Sequence, residues 1–203
     1  MNFQLLFPKC TGTWKEVNLN FEYISHFPEL NMHKISDQLS LLEKVASKNK
    51  ERTFGGFYED RSQLWEGFEE DHKTMIHLGI DFNNLAPGTR VNSISDGKIC
   101  SIFEDTSKKN GWGTKVIVDS EEHYFLYGHL MNVKLQQGDT ISRGTLLGEI
   151  GTPEVNGGWF PHLHLQVMKK KELNLPLVEV DGYEFFPGAV QGIVNPLDFL
   201  RSN

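Results

Sequence analysis

Three short motifs in this chain contain five side chains that could bind or assist a metal ion. His77 and Asp81 form an H-x-x-x-D motif, and His129 follows a Tyr-Gly pair. His162 and His164 form an H-x-H motif. Zinc favours imidazole nitrogen and carboxylate oxygen, and a catalytic zinc ion keeps one of its four positions open for water. Three ligands and two spare histidine bases satisfy that requirement, so the motifs together predict a catalytic zinc site.

The H-x-H motif says most about geometry. On a β-strand alternate side chains share a face, so His162 and His164 point the same way while Leu163 and Leu165 point into the core. Both imidazoles could then bind the metal, or one could bind it while the other acts beside it. The spacing alone leaves that choice open, and an isolated H-x-H is more often a solvated polar face.

The other two motifs carry less weight by themselves. His77 and Asp81 share a face if they lie on a helix, and in a β context Gly79 could bend the chain so that both side chains converge. His129 follows Gly128 at the end of an apolar strand, where it could line a cleft. Each could equally be an ordinary surface or turn residue. The remaining histidines lack such surroundings and are predicted to have no special role: His26, His33, His72 and His123.

From about residue 73 to residue 170 the sequence has the pattern of β-strands. Short apolar stretches alternate with glycine, proline, asparagine and aspartate, and turn signals such as Asp96-Gly97 separate them. This spacing predicts a mainly β fold, an antiparallel β-sandwich or open barrel rather than βαβ units, with a partly helical N-terminal extension. The predicted strands are Thr74–Phe82, Thr89–Ser95, Gly97–Glu104, Lys115–Asp119, Tyr124–His129 and His162–Met168.

The first 70 or so residues differ from the rest. Ser36 and Asp37 are good N-cap types, and apolar residues recur at helical spacing after them. We therefore predict one helix, from Asp37 to Asn49. The chain divides into an N-terminal extension over 1–70 and a metal-bearing domain over 71–203.

A glycine pair follows the predicted helix, in the segment Gly55–Arg61. Glycine permits close backbone approach, so we predict that this segment lies near the mouth of the cleft. There Tyr58, Glu59 and Arg61 could contact a peptide or its terminus. At the other end of the chain, Asn195–Leu200 is predicted to form a short capping helix or turn.

Composition argues against several classes of protein. Lys and Arg number 20 against 27 Asp and Glu, a net charge of −7, which disfavours nucleic-acid binding. Cys10 and Cys100 belong to no C-x-x-C pair and are predicted to be free thiols. No apolar run approaches the ~20 residues that span a bilayer, and the first residues do not read as a leader. We expect a cytoplasmic protein with neither a nucleic-acid nor a membrane partner; export by a route not visible in the sequence is the alternative.

Taken in order, the three motifs resemble the signature of the lysostaphin-like, or LytM-type, zinc endopeptidases. That signature is H-x-x-x-D, then a histidine in a G-H-L context, then H-x-H. The resemblance covers about residues 74–170. It extends to the Ala86-Pro87-Gly88-Thr89 stretch and the Asp96-Gly97 turn between the first two motifs, and to glycines that precede the third.

The resemblance implies roles that spacing could not assign. It implies that His77, Asp81 and His164 bind a zinc ion. It implies that His129 and His162 stay off the metal and act as bases or transition-state stabilisers. Every position of the signature is present, which disfavours members that have lost ligands and serve as activators.

The activity implied by the resemblance is hydrolysis of peptide bonds by a zinc-activated water. Family members cut glycine-rich or peptidoglycan cross-bridge peptides. Because this chain is acidic and shows no wall-binding repeat, we expect a small, accessible peptide substrate in the cytoplasm rather than intact cell wall. The alternatives are a noncatalytic binding or regulatory module on the same fold and a phosphocarrier of the sugar-transport type.

Overall fold

A computed structural model of the protein describes residues 1–46, 51–67, 74–105, 107 and 111–201. Within these residues the helices are α1 (Phe3–Leu6), α2 (Leu19–His26) and α3 (Ile35–Val45), with short 3-10 helices at Leu177–Glu179 and Pro196–Phe199. The strands are β1 (Trp14–Glu16), β2 (Arg52–Gly55), β3 (Ile76–His77), β4 (Ile80–Phe82), β5 (Arg90–Asn92), β6 (Gly97–Asp105), β7 (Gly113–Asp119), β8 (His123–Met131), β9 (Thr140–Ile141), β10 (Leu146–Ile150), β11 (Leu163–Lys169), β12 (Tyr183–Glu184) and β13 (Ile193–Val194). None of the described helices is long and apolar enough to cross a membrane.

Most of the described strands form one large sheet. Its order is β1-β2-β4-β11-β8-β7-β6-β9, with β10, β5 and β13 attached to this path, while β3 and β12 form a separate pair. β1 and β2 run parallel, and the other pairings along the path are antiparallel. The path through the described strands does not close into a barrel. The predicted mainly β, antiparallel fold is confirmed.

β11 shows why the sheet has one core face and one face for the site. Leu163, Leu165 and Val167 belong to the main hydrophobic core and are completely buried. His164 and Gln166 alternate with them and therefore project from the opposite face. Burying each of the three apolar side chains stabilises the fold by about 1.5–3 kcal/mol, which holds the polar residues between them in register.

Each predicted strand has a counterpart, but Thr74–Phe82 is divided into β3 and β4. At the division the backbone N–H of Leu78 donates to the carbonyl oxygen of Gly182 at 2.8 Å instead of extending the large sheet. His77 consequently pairs with β12, whereas Asp81, four residues later, pairs with β11. The break lets two residues of one motif approach the site from different strand pairs.

The described residues of the extension form three helices, so the prediction of a single helix is wrong. α3 is the predicted helix, but it begins two residues before Asp37, whose carboxylate accepts a hydrogen bond from the Asn31 N–H at 2.9 Å. Its predicted last residues, within 47–50, lie outside the described residues. α2 escaped prediction because Phe21 and Ile24 are exposed on it, which leaves no clear apolar stripe.

The extension is built into the sheet and also has a core of its own. β1 and β2 extend the sheet beyond β4. A second apolar cluster packs Leu41 and Leu42 of α3 with Trp65, Met75 and Phe160. The predicted boundary between the extension and the metal-bearing domain, near residue 70, stays a prediction. In the structure, the second apolar cluster contains residues from both sides of that boundary.

The C-terminal end of the chain forms the predicted cap. The 3-10 helix at Pro196–Phe199 begins after Asn195, whose side-chain oxygen accepts a hydrogen bond from the Leu197 N–H at 3.0 Å. Asparagine is a favoured residue at such a start because it satisfies a free backbone donor. Cys10 and Cys100 are free thiols, both partly buried.

Candidate metal centre

Neighbouring strands bring the first and last motifs into contact. β4 and β11 are antiparallel, and Asp81 lies directly opposite His164. Residues in such a pair project from the same face of the sheet, so the carboxylate and the imidazole lie side by side. His77 approaches from β3, where it lies opposite Tyr183 of β12. All three motif residues are buried, with at most 2% of each exposed.

One atom from each of these side chains converges on a common point. His77 Nε2 lies 3.0 Å from His164 Nδ1. Asp81 Oδ1 lies 3.3 Å from the first of these nitrogens and 3.1 Å from the second. Among the described residues these three form a group able to hold one metal ion. Two imidazoles and one carboxylate are a ligand set that suits zinc.

Hydrogen bonds on the far side of each ring fix where its proton lies. His77 Nδ1 is 2.9 Å from the carbonyl oxygen of Gly56, and His164 Nε2 is 3.1 Å from Gln166 Oε1. Both partners are acceptors, so those ring nitrogens carry the hydrogens and the two converging nitrogens present lone pairs. Two nitrogen lone pairs and a carboxylate oxygen at about 3 Å repel one another unless a cation lies between them. The residues present therefore fit a bound zinc ion.

Two glycines make room for the histidine rings. Gly56 has a φ of +106°, which disfavours other residues, and a Cβ there would lie 2.7 Å from His77 Nδ1. A Cβ on Gly79 would lie 2.7 Å from His164 Nε2. Glycine at both positions lets the backbone approach the rings closely enough to bring them together.

The second carboxylate oxygen of Asp81 is held by a buried arginine. Arg61 Nη1 donates to Asp81 Oδ2 at 2.5 Å, and Arg61 Nε donates to Glu59 Oε2 at 3.0 Å. The other oxygen of Glu59 accepts the backbone N–H of Asn20 in α2. Burial alone would raise the pKa of Asp81, but His77 and Arg61 hold it well below its usual range. Asp81 is therefore ionised, with Oδ1 left to face the two histidines.

This arrangement refines the prediction for Gly55–Arg61. The segment does lie beside the candidate centre, through Gly56 and Arg61. The expectation that Glu59 contacts a peptide is wrong, because its side chain is buried and bound to Arg61 and Asn20. Arg61 is also only 1% exposed, and its guanidinium forms an ion pair with Asp81.

His162 lies beside the three converging atoms but not among them. Its Nδ1 donates to the carbonyl oxygen of Phe160 at 2.7 Å, which leaves Nε2 without a hydrogen. That Nε2 is 3.8 Å from Asp81 Oδ1. Burial lowers the pKa of His162, so the ring is neutral at neutral pH. Its geometry is that of a base next to the candidate metal position.

His129 packs on His162 and has an unusual backbone. The centroids of the two rings are 4.3 Å apart, and His129 also stacks on Trp112 with an interplanar angle of 12°. Its φ of +62° lies in the left-handed region, which costs a non-glycine residue energy, and residues strained in this way cluster at functional sites. Burial, followed by the nearby His162, lowers its pKa well below the usual value. Its Nδ1 is buried without a partner among the described residues.

The motif residues open onto a cavity of about 110 Å³. His77, Asp81, His129, His162 and His164 all line it, so the structure brings all five predicted site residues together. Sequence reasoning did not identify the aromatic side chains and the C-terminal segment that form much of the rest of its wall, beside Arg61, Met75 and Gly111. The aromatic and C-terminal residues are Trp65, Trp112, Trp159, Phe160, Asp181, Gly182, Tyr183 and Phe185.

The histidines predicted to be ordinary contribute nothing to this wall where they are described. His26 and His33 belong to the extension, and His123 begins β8. His72 lies outside the described residues. Of the unpredicted wall residues, Trp112 directly follows an Asn-Gly pair, which is a typical turn signal, whereas no motif in the sequence marks Tyr183.

Comparison with known proteins identifies the family. The sequence model of Peptidase family M23 matches residues 75–176, just over half of the 203 residues. The chain therefore belongs to peptidase family M23, and the predicted resemblance to lysostaphin-like peptidases is confirmed. No curated protein matches the chain at a significant level.

Several solved structures are similar. A mutant catalytic domain of the prophage-encoded M23 protein EnpA from Enterococcus faecalis is 23% identical, with a TM-score of 0.40, over 47% of this chain and 69% of that one. Lysostaphin, an antimicrobial peptidase from Staphylococcus simulans, is 27% identical, with a TM-score of 0.40, over 54% of this chain and 41% of that one. A zinc-containing peptidase from Vibrio cholerae is 25% identical, with a TM-score of 0.41, over 47% of this chain and 28% of that one. The match thus spans less than half the length of two of these three chains.

Proposed function

We propose that this protein is a zinc-dependent peptidase in which His77, Asp81 and His164 bind the metal ion. The observation that carries the proposal is the convergence of two unprotonated imidazole nitrogens and one carboxylate oxygen within 3.0–3.3 Å. Membership of peptidase family M23 supplies the reaction class. The acceptors behind each ring and the arginine behind the carboxylate orient the ligands.

When bound, zinc supplies Lewis-acid chemistry, because it activates a water molecule at neutral pH and polarises the scissile carbonyl. His162 keeps its own proton on Nδ1, so Nε2 accepts the proton of the attacking water and later returns it to the leaving amine. His129 stabilises the negative charge that develops on the carbonyl oxygen. Burial lowers the pKa of His162, so it is neutral at neutral pH, as a proton acceptor must be.

The substrate we propose is a small, accessible peptide of glycine-rich or peptidoglycan type. The cavity beside the candidate centre is bordered by the C-terminal segment and by aromatic side chains, which favours a single extended chain over a folded surface. A net charge of −7 opposes binding to walls that carry anionic polymers. The cytoplasmic location and the lack of nucleic-acid and membrane partners stay predictions.

The test is a peptide panel assayed with zinc-loaded, chelator-treated and zinc-restored protein. Glycine-rich peptides, soluble muropeptides, ordinary peptides and purified sacculi are each incubated, and free amines are followed. We expect cleavage of soluble glycine-rich or muropeptide substrates that is lost with the chelator and restored by zinc. Cleavage insensitive to the chelator contradicts the zinc proposal. Solubilised sacculi with uncut soluble peptides contradict the proposed substrate.

The same panel separates the two alternatives. A noncatalytic module binds zinc and peptide but releases no amines in any arm. A phosphocarrier needs a histidine nitrogen that a partner protein can reach, whereas His77 is 1% exposed and both of its nitrogens face protein atoms. No observation favours the phosphocarrier.

A further inference from the structure

His162, the proposed base, lies just outside the strand that carries His164. β11 begins at Leu163, which is its first residue to pair with a neighbouring strand. The residue before His162 is Pro161, which has no backbone N–H to donate. The position of the base therefore depends on the contacts of the segment that leads into β11.

Phe160 makes two contacts with the ring of His162. Its carbonyl oxygen accepts the hydrogen on Nδ1 at 2.7 Å, and the centroids of the two rings are 4.7 Å apart. The first contact decides which nitrogen carries the hydrogen and turns Nε2 towards Asp81 Oδ1, 3.8 Å away. A displacement of Phe160 would therefore move the nitrogen that accepts the proton of the attacking water.

Phe160 is in turn held by Gln38, a residue of α3 in the N-terminal extension. Gln38 Oε1 accepts the backbone N–H of Phe160 at 3.0 Å, and Gln38 Nε2 donates to the carbonyl oxygen of Met32 at 2.8 Å. These two partners fix the orientation of the amide, because one can only donate and the other can only accept. Gln38 is 3% exposed, so water does not compete for either bond.

We propose that Gln38 is a positioning residue for catalysis, which holds Phe160 in place so that the Phe160 carbonyl oxygen keeps His162 oriented as the base. This inference rests on the proposed function. Gln38 is not among the residues that line the cavity, and it lies outside the residues that match the family model. It acts through Phe160, and a displacement of about 1 Å in a reacting group can cost about 10²-fold in rate.

The first experiment compares Gln38→Met with Val45→Ala. Gln38→Met keeps the length of the side chain and loses both polar groups. Val45 is buried at the other end of α3, so Val45→Ala controls for lost stability in the same helix. Thermal unfolding, zinc affinity, kcat and KM are measured for both. For Gln38→Met we expect kcat to fall about 10–10²-fold with little change in KM or zinc affinity, whereas Val45→Ala should keep the wild-type kcat.

A double-mutant cycle tests whether the effect passes through the base. Gln38→Met is combined with His162→Ala, and kcat of the double variant is compared with that of each single variant. We expect Gln38→Met to cause no further loss once the imidazole of His162 is absent. A purely structural contact would instead lower kcat by the same factor in both backgrounds.

Nuclear magnetic resonance supplies a readout that needs no turnover. With ¹⁵N-labelled histidine, wild-type His162 should carry its hydrogen on Nδ1, and Gln38→Met should reduce the population of this form. In the wild-type protein the Phe160 N–H should also exchange slowly with D₂O, because it is buried and bonded to Gln38. The exchange measurement tests the contact even if Gln38→Met does not fold.

Several results would each overturn the proposal. These are rapid exchange of the wild-type Phe160 N–H, an unchanged kcat or His162 spectrum in Gln38→Met, a loss of zinc that accompanies the loss of kcat, and equal losses in the two backgrounds of the cycle. A zinc-loaded wild-type protein that cleaves no peptide refutes the proposed function instead. In that case the histidine spectra still decide whether Gln38 positions His162.

Discussion

The strands that carry the histidine motifs and the segments that flank them contribute differently to the candidate metal centre. β3, β4 and β11 supply the three converging atoms themselves. The extension supplies Arg61 and the carbonyl oxygen of Gly56, and the C-terminal segment supplies Tyr183. The first region supplies the candidate ligand atoms. The flanking segments hold these side chains in position and form the wall beside them. A metal site can thus keep a recognisable signature while the groups that orient it come from unrelated parts of the chain.

The largest effect should come from removing a ligand. His77→Ala and His164→Ala should each abolish stoichiometric zinc binding and, with it, zinc-dependent hydrolysis, because the site loses one of its three protein ligands. Metal analysis of purified protein measures this directly. His123→Ala, a partly buried histidine at the start of β8, is the control and should bind zinc like wild type. Full zinc retention in both ligand variants would show that these residues do not bind the metal.

Removing a predicted base should have a smaller and more selective effect. His162→Ala and His129→Ala should retain zinc and lose about 10²–10⁴-fold in kcat, the usual contribution of a positioned base or donor. Metal content and turnover on the same protein samples separate the two properties. Loss of zinc from His162→Ala would show that His162 is itself a metal ligand. It would contradict the assignment of this residue as a base beside the metal position.

The smallest effect tests the flanking region alone. Arg61→Lys keeps the positive charge but loses the fork that reaches both Asp81 and Glu59, so zinc affinity should weaken about 10–100-fold without loss of the fold. Competition with a chelator of known affinity measures the change. The control is Arg52→Lys, which removes an arginine that contacts the Thr11 carbonyl oxygen and the Trp14 ring, outside the site. Equal zinc affinity in the two variants would show that the extension does not orient the ligand.

Prediction from sequence succeeded where local periodicity carries the information. The strands, the shared face of His162 and His164 and the mainly β fold all follow from the two-residue repeat of a strand. It was less complete in the described part of the extension, where three helices and the strands β1 and β2 depend on packing rather than on a strong local pattern. Arg61 was identified only as part of a glycine-containing segment. Its contact with Asp81, 20 positions away in the chain, could not be inferred from either residue alone.

By itself the sequence determined which side chains could serve the site and on which face of each strand they lie. Only the tertiary structure decided which nitrogen of each histidine faces the common point. His164 turns Nδ1 towards Asp81 because Gln166 accepts the hydrogen on Nε2, and His162 presents Nε2 because the Phe160 carbonyl oxygen accepts the hydrogen on Nδ1. An imidazole offers either nitrogen, and the choice depends on acceptors that the fold brings to the opposite side of the ring.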